Sequence, residues 1–155
     1  MHRLRVYVDT SVVGGCLDEE FKKESLALFN MARRDEVIIL ISDLLTEELA
    51  RAPVEVQQVL LSLPPECVEE IRRSEESRRL RQAYVEENVV SPKSANDAHH
   101  VALATIAGAD VVVSWNFKHI VHFDKIPKYN AVNVLNGYKH IGIYSPSEVI
   151  QYDDS

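Results

Sequence analysis

The 155-residue sequence has little cysteine, few aromatic residues and no long apolar run, and each shortage excludes a class of protein. Cys16 and Cys67 fit no metal-binding or redox spacing, so we expect reduced thiols in a cytoplasmic protein. Aromatic residues make up only 7%, which predicts an aliphatic core. No apolar run approaches the roughly 18 residues of a transmembrane helix, and residues 1–9 alternate too strongly for a signal peptide. The length fits one domain over residues 1–155.

Positive charge is also scarce, because the formal net charge is −7. This balance argues against nucleic-acid binding, which usually relies on neutralising phosphates. However, carboxylates that hold cations lower the formal net charge of a sequence, although the site is no longer negative once the cation is bound. The basic residues also cluster between positions 117 and 143, where only Asp124 opposes Lys118, Lys125, Lys128, Lys139, His119, His122 and His140. This stretch is either a solvated basic face or a phosphate-facing surface.

Strand patterns alternate with helix patterns along the whole chain. Strands are predicted at residues 3–9, 37–41, 109–114 and 140–144. Helices are predicted at residues 18–34, 44–51, 53–63, 74–88, 94–107 and within 126–136, with caps at Ser42-Asp43 and Ser94, Gly108 as a C-terminal residue and a final turn at Ser145-Pro146. This alternation predicts a parallel sheet covered by helices on both faces, an α/β sandwich.

Four polar residues fall where functional groups gather in such sheets, beyond the C-terminal ends of the strands. Asp9 ends the first strand and Asn116 follows the 109–114 strand. Glu48 lies on the helix after the second strand, and Asp97 lies in the first turn of the helix that begins near residue 95. Three carboxylates and one amide from separate segments therefore converge on one edge of the predicted sheet.

Such convergence is unfavourable without a cation. Two unit charges at ~4 Å repel by about 4 kcal/mol at an effective dielectric near 20, and three carboxylates make three such pairs. A divalent cation reverses that balance, and a set of oxygen ligands favours Mg²⁺ or Mn²⁺ over zinc. We therefore predict a metal site formed by Asp9, Glu48 and Asp97.

Each residue also has a purely structural interpretation. Asp9 is able to cap the amides of Ser11 and Val12, and Asp97 follows Ser94 at the spacing of a capping box.

Glu48 suits a surface pair with Arg51, and Asn116 suits a turn. Glu47 competes with Glu48 for the same role, since the two point about 100° apart on a helix. Periodicity alone leaves that choice open.

Four ordered motifs resemble the PIN-domain family, and in particular the VapC-like toxin subunits of toxin–antitoxin pairs. The motifs are Val-Tyr-Val-Asp-Thr-Ser at 6–11, Ile-Ser-Asp-Leu-Leu-Thr-Glu-Glu-Leu at 41–49, Asn-Asp-Ala-His-His-Val-Ala-Leu-Ala at 96–104 and Val-Ser-Trp-Asn-Phe-Lys-His-Ile at 113–120. Their order and spacing cover nearly the whole chain. The resemblance implies a PIN fold with a five-stranded parallel sheet and Mg²⁺- or Mn²⁺-dependent cleavage of RNA.

The resemblance also implies specific residues and partners. In this family the Glu usually comes six residues after the Ser that follows the second strand, so the spacing from Ser42 favours Glu48. Asn116 carries over as a metal or water ligand. A toxin of this kind has an antitoxin protein as inhibitor, which often inserts a basic residue into the acidic groove. It also forms a homodimer, for which we suggest residues 54–63.

One departure concerns His119, which stands where relatives often carry a further Asp. The change leaves three carboxylates and predicts either a weaker second metal site, a pH-dependent activity or a degenerate nuclease. The pair His119 and His122 is a poor zinc site, because no cysteine or nearby glutamate joins it.

Other polar side chains around the motifs are candidates for supporting or substrate-contacting roles. Thr10, Ser11 and Ser114 carry hydroxyls beside the carboxylates. His100 is one turn from Asp97 and either orients that carboxylate, touches substrate or is packed structurally.

Two functions follow. The first is a metal-dependent endoribonuclease. The alternative is a weak or inactive PIN-fold module that binds RNA or a protein partner. A phosphatase with Asp9 as nucleophile is disfavoured, because such enzymes usually have Asp-x-Asp after the first strand and this chain has Asp9-Thr10-Ser11.

Overall fold

The computed structural model describes residues 3–150 and contains one parallel sheet between two layers of helices. The strands are β1 (Leu4–Val8), β2 (Val37–Ser42), β3 (Val68–Ile71), β4 (Val111–Val113) and β5 (Gly142–Tyr144). Their order across the sheet is β3-β2-β1-β4-β5, so β1 is central. Tyr7 on β1 lies opposite Leu40 on one side and Val112 on the other. The predicted five-stranded parallel α/β fold is confirmed.

Helices connect the strands and cover the sheet. Within residues 3–150 the α-helices are α1 (Thr10–Gly15), α2 (Lys22–Arg33), α3 (Asp43–Leu49), α4 (Val54–Leu61), α5 (Glu75–Glu86), α6 (Ala95–Ile106), α7 (Ile126–Leu135) and α8 (Pro146–Val149). Short 3-10 turns at Pro65–Cys67 and Pro92–Ser94 precede β3 and α6. Within residues 3–150, every helix is too short or too polar to span a lipid bilayer.

Two hydrophobic cores form because successive side chains of a strand point to opposite faces. Both are rich in valine and leucine, but aromatic side chains are among their largest members, including Tyr7, Tyr84 and Phe29. Val6 and Val8 of β1 pack in one core, with residues of α1, α2 and α4. Tyr7 belongs to the other core, with residues of α5, α6 and α7. Helix α3 contributes to both, since Leu45 lies in the first core and Leu44 in the second. This position holds α3 across the C-terminal edge of the sheet, where the candidate site lies.

Most predicted elements are confirmed, and the exceptions have local causes. Strand β3 is absent from the strand patterns, because its half-buried Val-Glu-Glu-Ile sequence lies at the sheet edge and lacks a continuous apolar face. Helix α2 begins at Lys22, later than the predicted residue 18. The preceding residues form turns, in which Asp18 Oδ1 accepts from the Glu20 amide at 2.8 Å.

The predicted helix caps are confirmed in part. Ser42 caps α3 as predicted, with its Oγ accepting from the Leu45 amide at 3.1 Å. Ser94 occupies the N-cap position of α6 without a capping side-chain bond, so its predicted cap is wrong. Its preceding residues already form a 3-10 turn that leads into the helix. Gly108 follows the C-cap of α6 with φ +68°, as expected for a helix end.

Helix α1 follows β1 directly, in a segment for which the sequence patterns predict no helix. Gly15 is required here by close packing, because a Cβ at that position would lie 2.6 Å from Ser25 Oγ and 2.8 Å from Trp115 Nε1. These two side chains are themselves joined, with Trp115 Nε1 donating to Ser25 Oγ at 2.8 Å. The glycine therefore lets α1 approach the segment that follows β4.

Cys16 and Cys67 are both buried and form no disulfide, in agreement with the expected free thiols. Burial raises the pKa of Cys16 to about 11, so its thiol is protonated and poorly reactive.

Candidate active site

Asp9 follows β1 directly and is buried, with 4% of its surface exposed. Ser11 Oγ donates to its Oδ1 at 2.6 Å, and the Val12 amide donates to the same oxygen at 3.3 Å. Ser114 Oγ, from the end of β4, donates to Oδ2 at 2.6 Å. The expected turn role is therefore real, since Asp9 is the N-cap of α1. The bond from Ser114 adds a second strand to its surroundings.

The electrostatic setting of Asp9 favours a cation nearby. Burial raises the pKa of Asp9 above its ordinary value, and the proximity of His100 and the hydroxyl donors Ser11 and Ser114 opposes that effect only in part. Its charged form is thus under-compensated by the protein. A bound cation would stabilise the carboxylate and release a proton wherever Asp9 was protonated.

Glu48 reaches the same edge from the last turn of α3 and is half-buried. Thr10 Oγ1 donates to Glu48 Oε1 at 2.6 Å, and His100 Nε2 lies 2.7 Å from the same oxygen. Burial alone would raise the pKa of Glu48, but the hydrogen bonds from His100 and Thr10 outweigh it and hold the pKa below its ordinary value. Glu48 is therefore ionised at neutral pH.

The two adjacent glutamates make different contacts. Glu48 faces the strand ends, whereas Glu47 pairs with Arg73 outside the site. Arg73 also bonds Asp43 through its backbone amide at 2.9 Å. The surface pair between Glu48 and Arg51 does not form, because Glu48 turns inward to Thr10 and His100.

His100 is buried and joins three elements. Its Nδ1 lies 2.6 Å from the Tyr7 hydroxyl on β1, while its Nε2 contacts Glu48 on α3. The Tyr7 hydroxyl also lies 2.8 Å from Ser42 Oγ. His100 thus has the packed, hydrogen-bonded position that was one of its three interpretations, and a bond to Asp97 is not among the hydrogen bonds of the described residues.

Asp97 is half-buried in the first turn of α6, one turn before His100. The capping-box interpretation for Asp97 is wrong, since Ser94 makes no capping bond and instead lies 3.4 Å from His119 Nε2. Asp97 and His100 are three residues apart on α6, so they lie on the same face of that helix. The His100 ring contacts Glu48.

Asn116 follows β4 and orders the next turn. Its Oδ1 accepts from the amides of Lys118 at 3.2 Å and His119 at 2.9 Å, so the expected turn role is observed. The backbone N–H of Asn116 donates to Ser114 Oγ at 2.8 Å. The donor capacity of Ser114 is thereby directed to Asp9, and Asn116 is linked to that carboxylate through one hydroxyl.

Ser11 and Trp115 tie the same edge to the hydrophobic core. Ser11 Oγ accepts from the Trp115 amide at 2.9 Å while donating to Asp9. The Trp115 ring stacks on Phe21 with centroids 4.2 Å apart and meets Phe117 edge-on at 6.1 Å. Thr10, Ser11 and Ser114 all donate to carboxylates, so their observed contacts support the acids.

The structure brings the candidate residues together in two linked groups. One contains Asp9, Ser11 and Ser114, and the other contains Glu48, Thr10 and His100. Asp97 is bonded to neither group among the hydrogen bonds described. No three histidine, cysteine, aspartate or glutamate side chains within residues 3–150 lie close enough to form a metal cluster. The donor chemistry nevertheless suits Mg²⁺ or Mn²⁺, because Asp9, Glu48, Asp97 and Asn116 all offer oxygen.

Sequence reasoning missed Tyr7 as part of this network. The signal available was a hydroxyl-bearing residue within a buried apolar strand, since a buried phenol requires a hydrogen-bond partner. Identifying His100 as that partner requires the packing of α6 on β1.

Comparison with solved structures finds the same fold over nearly the full chain. VapBC2 from Rickettsia felis bound to a promoter DNA fragment matches with a TM-score of 0.59 at 16% identity, over 92% of this chain and 98% of that one. FitAcB from Neisseria gonorrhoeae matches with 0.56 at 15%, over 93% and 99%. FitAB bound to an IR36 DNA fragment matches with 0.56 at 13%, over 96% and 99%. No protein-family model and no curated protein matches the sequence.

These neighbours are complexes of toxin–antitoxin pairs with PIN-domain toxins. The chain therefore has the PIN-like fold that its four sequence motifs predict.

Proposed function

We propose that this chain is a divalent-metal-dependent endoribonuclease and the toxin of a toxin–antitoxin pair. The observation that supports it most is the convergence of Asp9 and Glu48, from β1 and α3, at one edge of a PIN-like fold. Each carboxylate is oriented by hydroxyl or imidazole donors. Burial raises the pKa of Asp9, so a cation beside it would stabilise its charged form.

In this proposal Asp9, Glu48 and Asp97 hold Mg²⁺ or Mn²⁺, and Asn116 assists through a water. The bound cation would supply charge stabilisation on the phosphate and promote in-line attack by water. The attack breaks the P–O3′ bond, leaving a 5′-phosphate on one product and a protonated 3′-hydroxyl on the other. Thr10 orients Glu48 and Ser11 orients Asp9 during this step, because each hydroxyl donates a hydrogen bond to that carboxylate.

The proposal is tested by replacing Asp97 with Asn and measuring cleavage of RNA in Mn²⁺. We expect cleavage to fall by about two orders of magnitude or more, because a charged ligand is lost at the site of developing charge.

Asp35→Asn is the matched control. Asp35 is exposed just before β2, at the opposite edge of the sheet, and has φ +65°, which asparagine tolerates well. Cleavage that needs no metal and survives Asp97→Asn would overturn the assignment.

A second candidate is a catalytically weak PIN-fold module that binds RNA or a protein. His119 favours it, since its side chain contacts Ser94 Oγ and supplies no acid to the site. Thermal melting with and without Mn²⁺ separates the two functions, because a ligand that binds only the native state raises the melting temperature. An unchanged melting temperature at millimolar Mn²⁺ favours the binding module.

The partners follow from the same proposal. An antitoxin protein would block the acidic groove with a basic residue, consistent with the complexes formed by the structural neighbours. We also propose a homodimer through residues 54–63, supported by Val54 and Leu61, which are 59% and 82% exposed on α4.

A further inference from the structure

Glu48 receives both of its hydrogen bonds on one oxygen. Thr10 Oγ1 and His100 Nε2 both contact Oε1, at 2.6 Å and 2.7 Å. Among the hydrogen bonds of residues 3–150, none reaches Oε2. The carboxylate is therefore held by one oxygen and offers the lone pairs of the other.

The hydrogen bonds behind His100 form a chain with one direction. The Leu45 amide donates to Ser42 Oγ. The Ser42 hydroxyl is then free to donate to the Tyr7 oxygen, and the Tyr7 hydroxyl to His100 Nδ1.

His100 consequently carries its proton on Nε2 and donates it to Glu48 Oε1, since a carboxylate only accepts. The opposite direction would make Nδ1 the donor to Tyr7 and Tyr7 the donor to Ser42. Ser42 Oγ would then accept twice, with no acceptor for its own proton among the described hydrogen bonds.

This chain of hydrogen bonds begins and ends on helix α3. Ser42 is the N-cap of α3 and Glu48 is in its last turn, while the intervening groups come from β1 and α6. Tyr7 is 0% exposed and His100 is 2% exposed, so the chain is shielded from water. Buried hydrogen bonds thus link Glu48, in the last turn of α3, to the N-cap residue of the same helix.

We propose that His100 is a positioning residue that holds Glu48 Oε1 through Nε2–H and leaves Oε2 available to a divalent cation. This inference rests on the proposed metal-dependent function. It assigns no contact between His100 and substrate, because the ring is buried between Tyr7 and Glu48. Partners of this kind typically contribute ten- to a hundredfold to metal affinity.

The test compares Mn²⁺ affinity in four proteins, measured calorimetrically on the full chain. His100→Asn is too short to reach Glu48 and should weaken Mn²⁺ binding by about ten- to a hundredfold. His100→Gln places a side-chain N–H near the position of Nε2 and should restore most of the affinity.

His99→Asn is the matched control. His99 is the adjacent residue of α6, is equally buried at 2% exposure, and bonds Ser77 Oγ at 2.9 Å instead of the acids. Its substitution should leave the Mn²⁺ dissociation constant unchanged.

A second measurement needs no metal. Long-range ¹H–¹⁵N spectra of the wild-type imidazoles should show His100 protonated on Nε2. An Nδ1-protonated ring would overturn the inference, even if His100→Asn failed to fold. Tight Mn²⁺ binding by His100→Asn would overturn it while leaving the proposed function intact. A wild-type protein that binds no Mn²⁺ would overturn both.

Discussion

His99 makes the stability of this protein dependent on pH in a way that one substitution isolates. Burial lowers the pKa of His99 from 6.5 to about 4, and the nearby positive side chains act in the same direction. As the pH falls, the unfolded chain therefore takes up the proton before the folded chain does. The stability associated with neutral His99 is complete above about pH 6.5 and is lost as the pH falls toward 4.

The size of the effect follows from the two pKa values. The fall from 6.5 to about 4 corresponds to about 3 kcal/mol in all. Between about pH 7.5 and about pH 5 the linkage relation gives a loss of about 2 kcal/mol. We keep the lower limit near pH 5, because below it the carboxylates also begin to titrate.

The assay is urea unfolding of the wild type and of His99→Gln at these two pH values. Glutamine preserves a polar contact with Ser77 but carries no titrating group. The wild type should lose about 2 kcal/mol more than the variant on acidification. His140→Gln is the control, since His140 is exposed, and it should follow the wild-type profile. Equal losses in the wild type and His99→Gln would refute the reasoning.

Two further predictions concern the site and its support. Asp9→Asn preserves the N-cap of α1 but removes a carboxyl group whose pKa is raised by burial. It should therefore abolish cleavage and, at neutral pH, gain the stability that the buried charge costs, set against the loss of one of the two oxygens that accept from Ser11 and Ser114. The gain should shrink as the pH falls toward 3.8, where the unfolded aspartate is also protonated, and a urea series over pH checks it. Gly15→Ala should cost about 2–4 kcal/mol and change the Trp115 fluorescence, since the new methyl would overlap the Trp115–Ser25 hydrogen bond. Gly14→Ala is its control, because a Cβ there meets nothing within 4 Å, and destabilisation equal to that of Gly15→Ala would contradict the packing argument.

The sheet was predictable because its buried strands have continuous apolar sequences. Val37 to Ile41 and the three valines of β4 are covered on both faces, and this burial produces the pattern that indicates a strand. Strand β3 was not predicted, because an edge strand that contains Glu69 and Glu70 has no continuous apolar pattern. Helix α1 was not predicted either, because its two glycines suggest a turn.

The candidate site was predictable only as far as topology and motif order reach. Asp9 and Glu48 were identified because they lie beyond the ends of the first two strands, and the adjacent hydroxyls of Ser11 and Thr10 donate to these two carboxylates respectively. The contact of His100 with Tyr7 joins residues 93 positions apart and depends on how α6 packs on β1. Local spacing placed His100 beside Asp97, and tertiary packing directed its ring to Glu48.

The position of Asp9 at the start of α1 affects how related sequences should be interpreted. Its side chain caps a helix whether or not a cation binds, so a chain without the chemistry keeps this capping bond with either aspartate or asparagine at the position. Glu48 caps no helix, but it accepts hydrogen bonds from Thr10 and from a buried imidazole, so its loss would leave both donors without this acceptor. An aspartate or asparagine at position 9 of a relative is therefore explained by the helix cap alone and does not by itself indicate an active site.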